Sequence, residues 1–317
     1  MNELDFINNI RKIVTNPSAL NLDDDVFFDK KRSIVASIDT YNEKIHYLNF
    51  KNPELVTKKV IRASISDIIS KGVDPKYLLI SFSGNKKHLN VKNVKKILKS
   101  IKQEQKKYNF SLIGGDTTFS SLSSFSICSL GYSNKIIKRN TCKQNDDIYL
   151  TGNLGDSSIG LNSLKNKIKL NSKLKKYFEN KYFMSNLAFG FHRDLKKFAS
   201  SSMDVSDGLL IDLKKMLTNS KFSYIVDFDL IPKSTYFNKL IKQKKIFPIK
   251  YLFKGDDYQI LFTAKKKYRI NILKYAKKWN QKISRIGNIT KARDNYLKYT
   301  NILKKIEDYQ GYIHNFR

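Results

Sequence analysis

The chain has 317 residues, 41% of them hydrophobic, enough to bury one large core or two smaller ones, and two domains are expected at this length. No stretch approaches the roughly 20 consecutive apolar residues of a membrane span, and the acidic, polar start MNELDF lacks the order of an export signal, so a soluble, cytoplasmic protein without a membrane partner is expected. The net charge of +32 invites a nucleic-acid reading, but the excess is nearly all lysine spread along the chain, without clustered arginine and interleaved aromatics; it reads as solvated surface with no specific nucleic-acid partner. Only Cys128 and Cys142 occur, which excludes a disulfide framework or a cysteine-rich metal site and suits a reducing compartment.

In chain order, residues 33–38, 77–82, 110–113, 124–130 and 148–151 read as strands, separated by lysine-rich amphipathic stretches that read as helices. Pro53 opens one helix, Val56, Val60, Ile61, Ile65, Ile68 and Ile69 recur along it at helical spacing, and Gly72 closes it. A second helix runs through Val94, Ile97, Leu98 and Ile101. Beyond Gly152 the pattern predicts helices at 155–164, 207–217 and 268–279, and strands at 224–228, 259–263 and 283–286. The fold class is therefore α/β, with helices covering one side of a sheet in the first half. The polar segment 139–147 carries no hydrophobic period, which divides the chain into 1–140 and 141–317.

Acidic residues number only 28, yet many gather at the ends of predicted elements: Asp23-Asp24-Asp25, Asp39, Asp67, Asp116, Asp204 with Asp207, and Asp256-Asp257. Taken singly, each has a structural reading, Asp24 as a turn residue, Asp116 as the turn after a strand, Asp207 as a helix N-cap. Taken together they need a cation, because two carboxylates about 4 Å apart repel by about 4 kcal/mol at an effective dielectric of about 20. Magnesium suits such a set, as a hard ion that sits on one or two carboxylates and shares substrate phosphates. In Leu112-Ile113-Gly114-Gly115-Asp116-Thr117 a strand runs into paired glycines, which let a backbone approach a phosphate closely, and then an acid that suits the bridging metal. In Asp204-Val205-Ser206-Asp207-Gly208-Leu209 two acids and a hydroxyl meet a helix start, whose amides favour an anion. No G-x-x-x-x-G-K-[ST] loop occurs, which excludes a P-loop.

Read in order, Leu22-Asp23-Asp24-Asp25, Ser37-Ile38-Asp39-Thr40 with His46, Ile65-Ser66-Asp67-Ile68 with Gly72-Val73-Asp74-Pro75, Ile113-Gly114-Gly115-Asp116-Thr117, Asp204-Val205-Ser206-Asp207-Gly208-Leu209 and Gly255-Asp256-Asp257-Tyr258 resemble the thiamine-monophosphate kinase family. The ending Gly311-Tyr312-Ile313-His314-Asn315-Phe316 is similar to that family's last block. The resemblance implies phosphorylation of thiamine phosphate to the diphosphate, with ATP as co-substrate and several Mg2+ ions, and no phosphoenzyme. It also implies the fold of aminoimidazole ribonucleotide synthetase, whose N-terminal α/β domain pairs with its copy in a homodimer. Carried over by position, the metal set is Asp24, Ser37, Ile38, Asp39, Asp67, Asp116, Asp204 and Asp207, with Asp39, Asp67, Asp116 and Asp207 central to catalysis. The ATP contacts are Tyr108, Gly115, Asp116, Arg139 and Ser206, and the acceptor contacts are His46, Asp256 and Tyr312.

Some family positions are altered. Asn21 and Asp23 stand where glycines precede the acidic pair, Ile38 where a threonine is usual, Ser64 where asparagine is common, and Lys254 for a glycine. Asn21 suits a left-handed backbone, and Ile38 retains only its carbonyl as a metal ligand. A sibling enzyme of the same fold acting on another small acceptor is the alternative. A selenophosphate synthetase would carry a reactive cysteine before Cys128, and a hydrogenase-maturation relative would end in one, and neither feature is present.

Overall fold

The computed structural model describes residues 3–306. Within them, two sheets follow each other along the chain. The first half contains α1 (Glu3–Arg11), β1 (Phe27–Asp29), β2 (Ile34–Asn42), α2 (Pro53–Ser70), β3 (Pro75–Gly84), α3 (Val91–Tyr108), β4 (Ser111–Gly114), β5 (Thr117–Phe119) and β6 (Ser124–Tyr132), with strand order β1-β2-β6-β3-β4 and β5 also pairing with β3. After the segment 133–146 come β7 (Asp147–Thr151), α4 (Asp156–Leu164), α5 (Ser172–Phe183), α6 (His192–Leu195), β8 (Ala199–Asp204), α7 (Leu209–Met216), β9 (Ser223–Asp227), α8 (Thr235–Lys242), α9 (Ile249–Leu252), β10 (Ile260–Ala264), α10 (Arg269–Lys278), β11 (Ile283–Thr290), β12 (Tyr296–Tyr299) and β13 (Ile302–Lys305). Their sheet order is β13-β12-β9-β11-β7-β10-β8. The architecture is mixed α/β, as the sequence pattern predicts.

Alternation on β2 decides which side chains reach the interior. Val35, Ser37 and Tyr41 are buried and Asp39 shares their face, while Ile38 between them is 72% exposed on the opposite face. Helix α2 is buried on nearly all sides, because it lies against β2 and β6 on one flank and against β8 and α5 on the other. Its position makes it a spine between the two sheets. One hydrophobic core spans them, joining Val60, Ile65, Phe82 and Phe125 to Tyr182, Phe191, Phe198 and Phe262.

Several elements escape the sequence pattern. Strand β8 is Ala-Ser-Ser-Ser-Met-Asp, serine-rich enough to read as a loop, yet buried from Ser201 onward between β10 and the linker. Helices α5 and α8 and the β12–β13 hairpin also go unpredicted. The helix expected at 207–217 begins at Leu209, with Gly208 rather than Asp207 in the capping position.

Buried between α2, α3 and α5 is a bidentate ion pair. Arg62 Nε and Nη2 donate to Glu104 at 2.7 and 2.8 Å, and Arg62 Nη1 donates to the Ser185 carbonyl at 3.1 Å. Both side chains are under 10% exposed, so removing one partner strands a charge. We predict that Arg62→Met lowers stability by about 3–5 kcal/mol and that adding Glu104→Met restores most of it. Urea unfolding measures both, and an unchanged midpoint for Arg62→Met would show that the pair contributes nothing.

Candidate active site

Four segments deliver the acidic cluster. Asp39 comes from β2, Asp67 from the last turn of α2, Asp204 from the end of β8, and Asp25 from the loop that follows the turn at Pro17–Leu22. That turn holds Leu20, Asn21 and Leu22 at positive φ, so Asn21 at φ 58° does adopt the left-handed backbone expected of it. Ser66, one residue before Asp67, hydrogen-bonds the Asp204 carboxylate and ties α2 to β8. Ser37 is buried beside them, its hydroxyl 3.5 Å from the Ser64 carbonyl.

Fixed cations balance one side of the cluster. Lys71 is fully buried, with Nζ 2.8 Å from Asp24 Oδ1, 2.7 Å from Asp25 Oδ2 and 3.0 Å from the Ser202 carbonyl. Arg139 Nη1 reaches Asp25 Oδ1 at 2.7 Å, and its backbone N–H donates to Asp24 Oδ2 at 2.9 Å. Burial pushes the Asp25 carboxyl up, but Lys71 and Arg139 outweigh it and hold Asp25 well below the usual range. Arg139 Nε is buried with no hydrogen-bond partner among the described residues.

The other side is unbalanced. No salt bridge among the described residues reaches Asp39, Asp67 or Asp204. Burial and then the charges of Asp204 and Asp25 raise Asp39 to about 7, burial and then Asp25 raise Asp204 to about 6, and burial with Asp39 and Asp204 lifts Asp67 far above its ordinary value. Among the described residues no three carboxylate, imidazole or thiol groups close into a ready-made metal cage. An all-oxygen set with uncompensated charge fits magnesium, which keeps waters and takes much of its coordination from phosphates rather than from a protein cage.

The remaining predicted residues lie in separate places. Asp207 lies at the edge of the cluster, bonded by Lys215, while Asp212 Oδ2 accepts the Gly208 backbone N–H at 2.9 Å and fixes the turn. The chain there runs antiparallel to the loop carrying Asp256: Asp256 N–H donates to the Ser206 carbonyl at 2.9 Å and Tyr258 N–H to Val205 at 2.9 Å. A Cβ on Gly255 would sit 1.8 Å from the Ser206 carbonyl oxygen, so only glycine permits the approach. His46 lies after β2, with Nδ1 accepting the Asn42 N–H at 2.9 Å and its ring edge-on to Tyr41.

Gly115 and Asp116 stand apart. They lie in an exposed stretch between β4 and β5, Asp116 capping its own turn by accepting the Thr117 N–H, and a Cβ on Gly115 would meet the Ile80 carbonyl oxygen at 1.8 Å. The Ile38 side chain faces the same outer surface of the sheet. Tyr108 is 1% exposed, packed at the end of α3 under Arg62 and edge-on to Phe189, away from the carboxylates. Tyr312 lies outside the described residues.

Sequence reasoning missed Asp25, Lys59, Lys71 and Tyr258. The triple acid at 23–25 announces a carboxylate without ranking its members; Asp24 and Asp25 both hold Lys71, Asp24 also accepting the Arg139 N–H and Asp25 the Arg139 guanidinium, and the charge of Asp25 is felt by Asp39, Asp67 and Asp204. In a chain with 60 basic residues, nothing local marks two lysines as buried.

The family model described as AIR synthase related protein, N-terminal domain, matches residues 22–132, and the corresponding C-terminal domain model matches 143–300. The thiamine-monophosphate kinase of Buchnera aphidicola subsp. Schizaphis graminum (strain Sg) is 31% identical across 90% of this chain and 88% of its own length. That of Buchnera aphidicola subsp. Acyrthosiphon pisum (strain APS) is 30% identical across 98% and 96%. The solved structure of AaThiL complexed with AMPPCP and TMP matches with a TM-score of 0.86 over 99% of this chain and 97% of its own, at 24% identity, a likeness of fold.

The electrostatics give a pH prediction. Asp39 and Asp204 titrate near 7 and 6 in the fold, above their unfolded values, so the metal-free protein binds extra protons and these groups contribute less stability as pH rises through that range. Added magnesium should therefore raise Tm more at about pH 8 than at about pH 5.5. Thermal melts with and without the ion measure the gain, and equal gains at both pH values would remove this account.

Proposed function

Because this chain belongs to the thiamine-monophosphate kinase family of AIR synthase related proteins, we propose that it moves the γ-phosphoryl group of ATP onto thiamine phosphate, giving thiamine diphosphate and ADP. The observation that carries this reading is the meeting of Asp25, Asp39, Asp67 and Asp204 from four distant segments, next to a separate carboxylate, Asp256, on the loop that pairs with Val205 and Ser206. A charged cradle beside a second polar site is what transfer between two phosphorylated molecules requires.

An oxygen of the acceptor phosphate forms the new bond to the γ-phosphorus as the bond to the β–γ bridging oxygen breaks and its electron pair leaves with ADP. The acceptor phosphate has a second pKa of about 6 and is already ionised near neutrality, so no strong general base is needed. Catalysis is then positioning and charge stabilisation of a loose transition state. Asp25, Asp39, Asp67 and Asp204 would hold magnesium, with Ser37, the Ile38 carbonyl and Asp207 at the margin, and the bound ion would offset phosphate charge. Arg139, already bound to Asp25, would add positive charge near the nucleotide phosphates, and Ser206 would contact the nucleotide. Asp24 stays in the metal set as its family position implies, and shares Lys71 with Asp25. His46 orients the acceptor, and Asp256, with Tyr312 from the C-terminal segment, holds its ring end.

We further read the protein as a homodimer built on the outer face of the first sheet. Ile38, Cys128 and Leu79 form a cross-strand apolar row there, and Tyr77, Leu112, Ile113, Phe119 and Tyr132 are exposed around it. Isolated monomers seldom leave so continuous an apolar face in water. Gly115 and Asp116 adjoin this face, so the pairing of copies decides what they meet. Both cysteines are free, which supports a reducing, cytoplasmic setting.

Purified protein given ATP and magnesium should convert thiamine phosphate to the diphosphate, and Asp39→Asn and Asp67→Asn should each lower turnover at least about tenfold, roughly 1.4 kcal/mol of transition-state stabilisation. Phosphorylation of a different acceptor, with none of thiamine phosphate, would exclude the substrate while keeping the reaction type. Separately, Leu79→Asp should turn the dimer into a monomer by light scattering, and a wild-type chain that is already monomeric would remove the interface reading.

A further inference from the structure

We infer that Lys59 is a positioning residue for the acceptor, acting through Asp256; the inference rests on the functional reading above. Lys59 lies eight residues before Asp67 on α2, about 12 Å along the helix axis from the metal cradle. It is 3% exposed, an unusual place for a lysine. Its Nζ is 2.8 Å from Asp256 Oδ1 and 3.4 Å from the Tyr182 carbonyl oxygen, and sits 4.1 Å above the Tyr182 ring and 5.7 Å from that of Tyr258. The Tyr258 hydroxyl donates to the same Asp256 Oδ1 at 2.9 Å.

Packing alone does not account for this arrangement. A leucine or methionine would fill the aromatic box around Lys59 without the cost of burying an ammonium. The pair is also asymmetric: the lysine side chain is 2% exposed and the aspartate 30%. Two donors converge on one carboxylate oxygen and hold it, while the side chain stays partly exposed. The Asp256 backbone is fixed as well, at φ +70° with its N–H on the Ser206 carbonyl. Tyr258 links this group to the cradle, since it lies close enough to Asp39 and Asp204 to feel their charge.

The chemistry follows from the charges. Lys59 offsets the negative charge of Asp256 from the buried side, leaving a rigid hydrogen-bond acceptor rather than a free anion facing the ligand. Such a group suits the amino group of an aminopyrimidine and tolerates the neighbouring cationic ring. Lys59 thus acts on the recognition of the acceptor, with no part in gripping ATP.

Steady-state kinetics on the full chain with Lys59→Met, Asp256→Asn and the double variant test this. Lys59→Met should raise KM for thiamine phosphate at least about tenfold with KM for ATP within about twofold, Lys59→Arg should recover part of the loss, and the double variant should be no worse than Asp256→Asn. If Lys59→Met does not fold, Tyr258→Phe removes the other donor to Oδ1 and should raise the acceptor KM alone; no change would overturn the inference. Penalties that multiply in the double variant, or an equal rise in both KM values, would also overturn it while leaving the functional reading intact. A wild-type chain inactive on thiamine phosphate would sink the functional reading, and this inference with it.

Discussion

Crowding of buried carboxylates is the constraint around which the molecule is arranged. Asp25, Asp39, Asp67 and Asp204 repel one another inside a folded chain, and the fold answers with fixed cations on one side only. Lys71 and Arg139 tie down Asp24 and Asp25, while Asp39, Asp67 and Asp204 have no salt bridge among the described residues. Supplying a lysine to every acid would have given a more stable and idle interior. The shortfall of positive charge is the chemical capacity of the site, and it exists in a protein whose overall charge is +32. Net charge therefore describes the surface and says little about the centre.

Helix α2 organises this imbalance. It supplies Lys59, Arg62 and Asp67, and Lys71 follows directly where Gly72, at φ +75°, lets the chain turn away. Each of these side chains faces a different neighbour: Asp256 and α5, Glu104 on α3, the carboxylate cluster, and the Asp24–Asp25 loop. One buried helix thus sets the spacing between the acidic cradle and the acceptor-facing carboxylate, and it does so with backbone hydrogen bonds that no solvent competes for.

Much of this was legible in the sequence. The strong periods of β2, β3, β6, α2 and α3 predicted those elements, and the ordered acidic blocks predicted the meeting of Asp39, Asp67 and Asp204. What stayed hidden depended on partners rather than on pattern. Strand β8 is serine-rich and is a strand only because β10 pairs with it. Asp24 and Asp25 look alike in sequence and both are held by Lys71 and Arg139, a pairing with no local pattern to announce it. Tyr108, expected at the nucleotide from its family position, packs its ring against Arg62 and Phe189, contacts that no sequence pattern announces. Burial of Lys59 and Lys71 has no local signature, because the information lies in the aromatic and acidic residues that close over them.

The hydrophobic core that runs unbroken from Phe125 to Phe262 bears on how the chain comes apart. Although the second half encloses a core of its own between Cys142 and Ile289, the interior that joins the two sheets is shared: cutting near residue 140 would uncover the side of α2 that lies against α5 and β8 on one fragment, and Tyr182 and Phe198 on the other. The halves are therefore expected to melt in a single cooperative transition, and a lesion in the first sheet is transmitted to the loops of the second as loss of shared support.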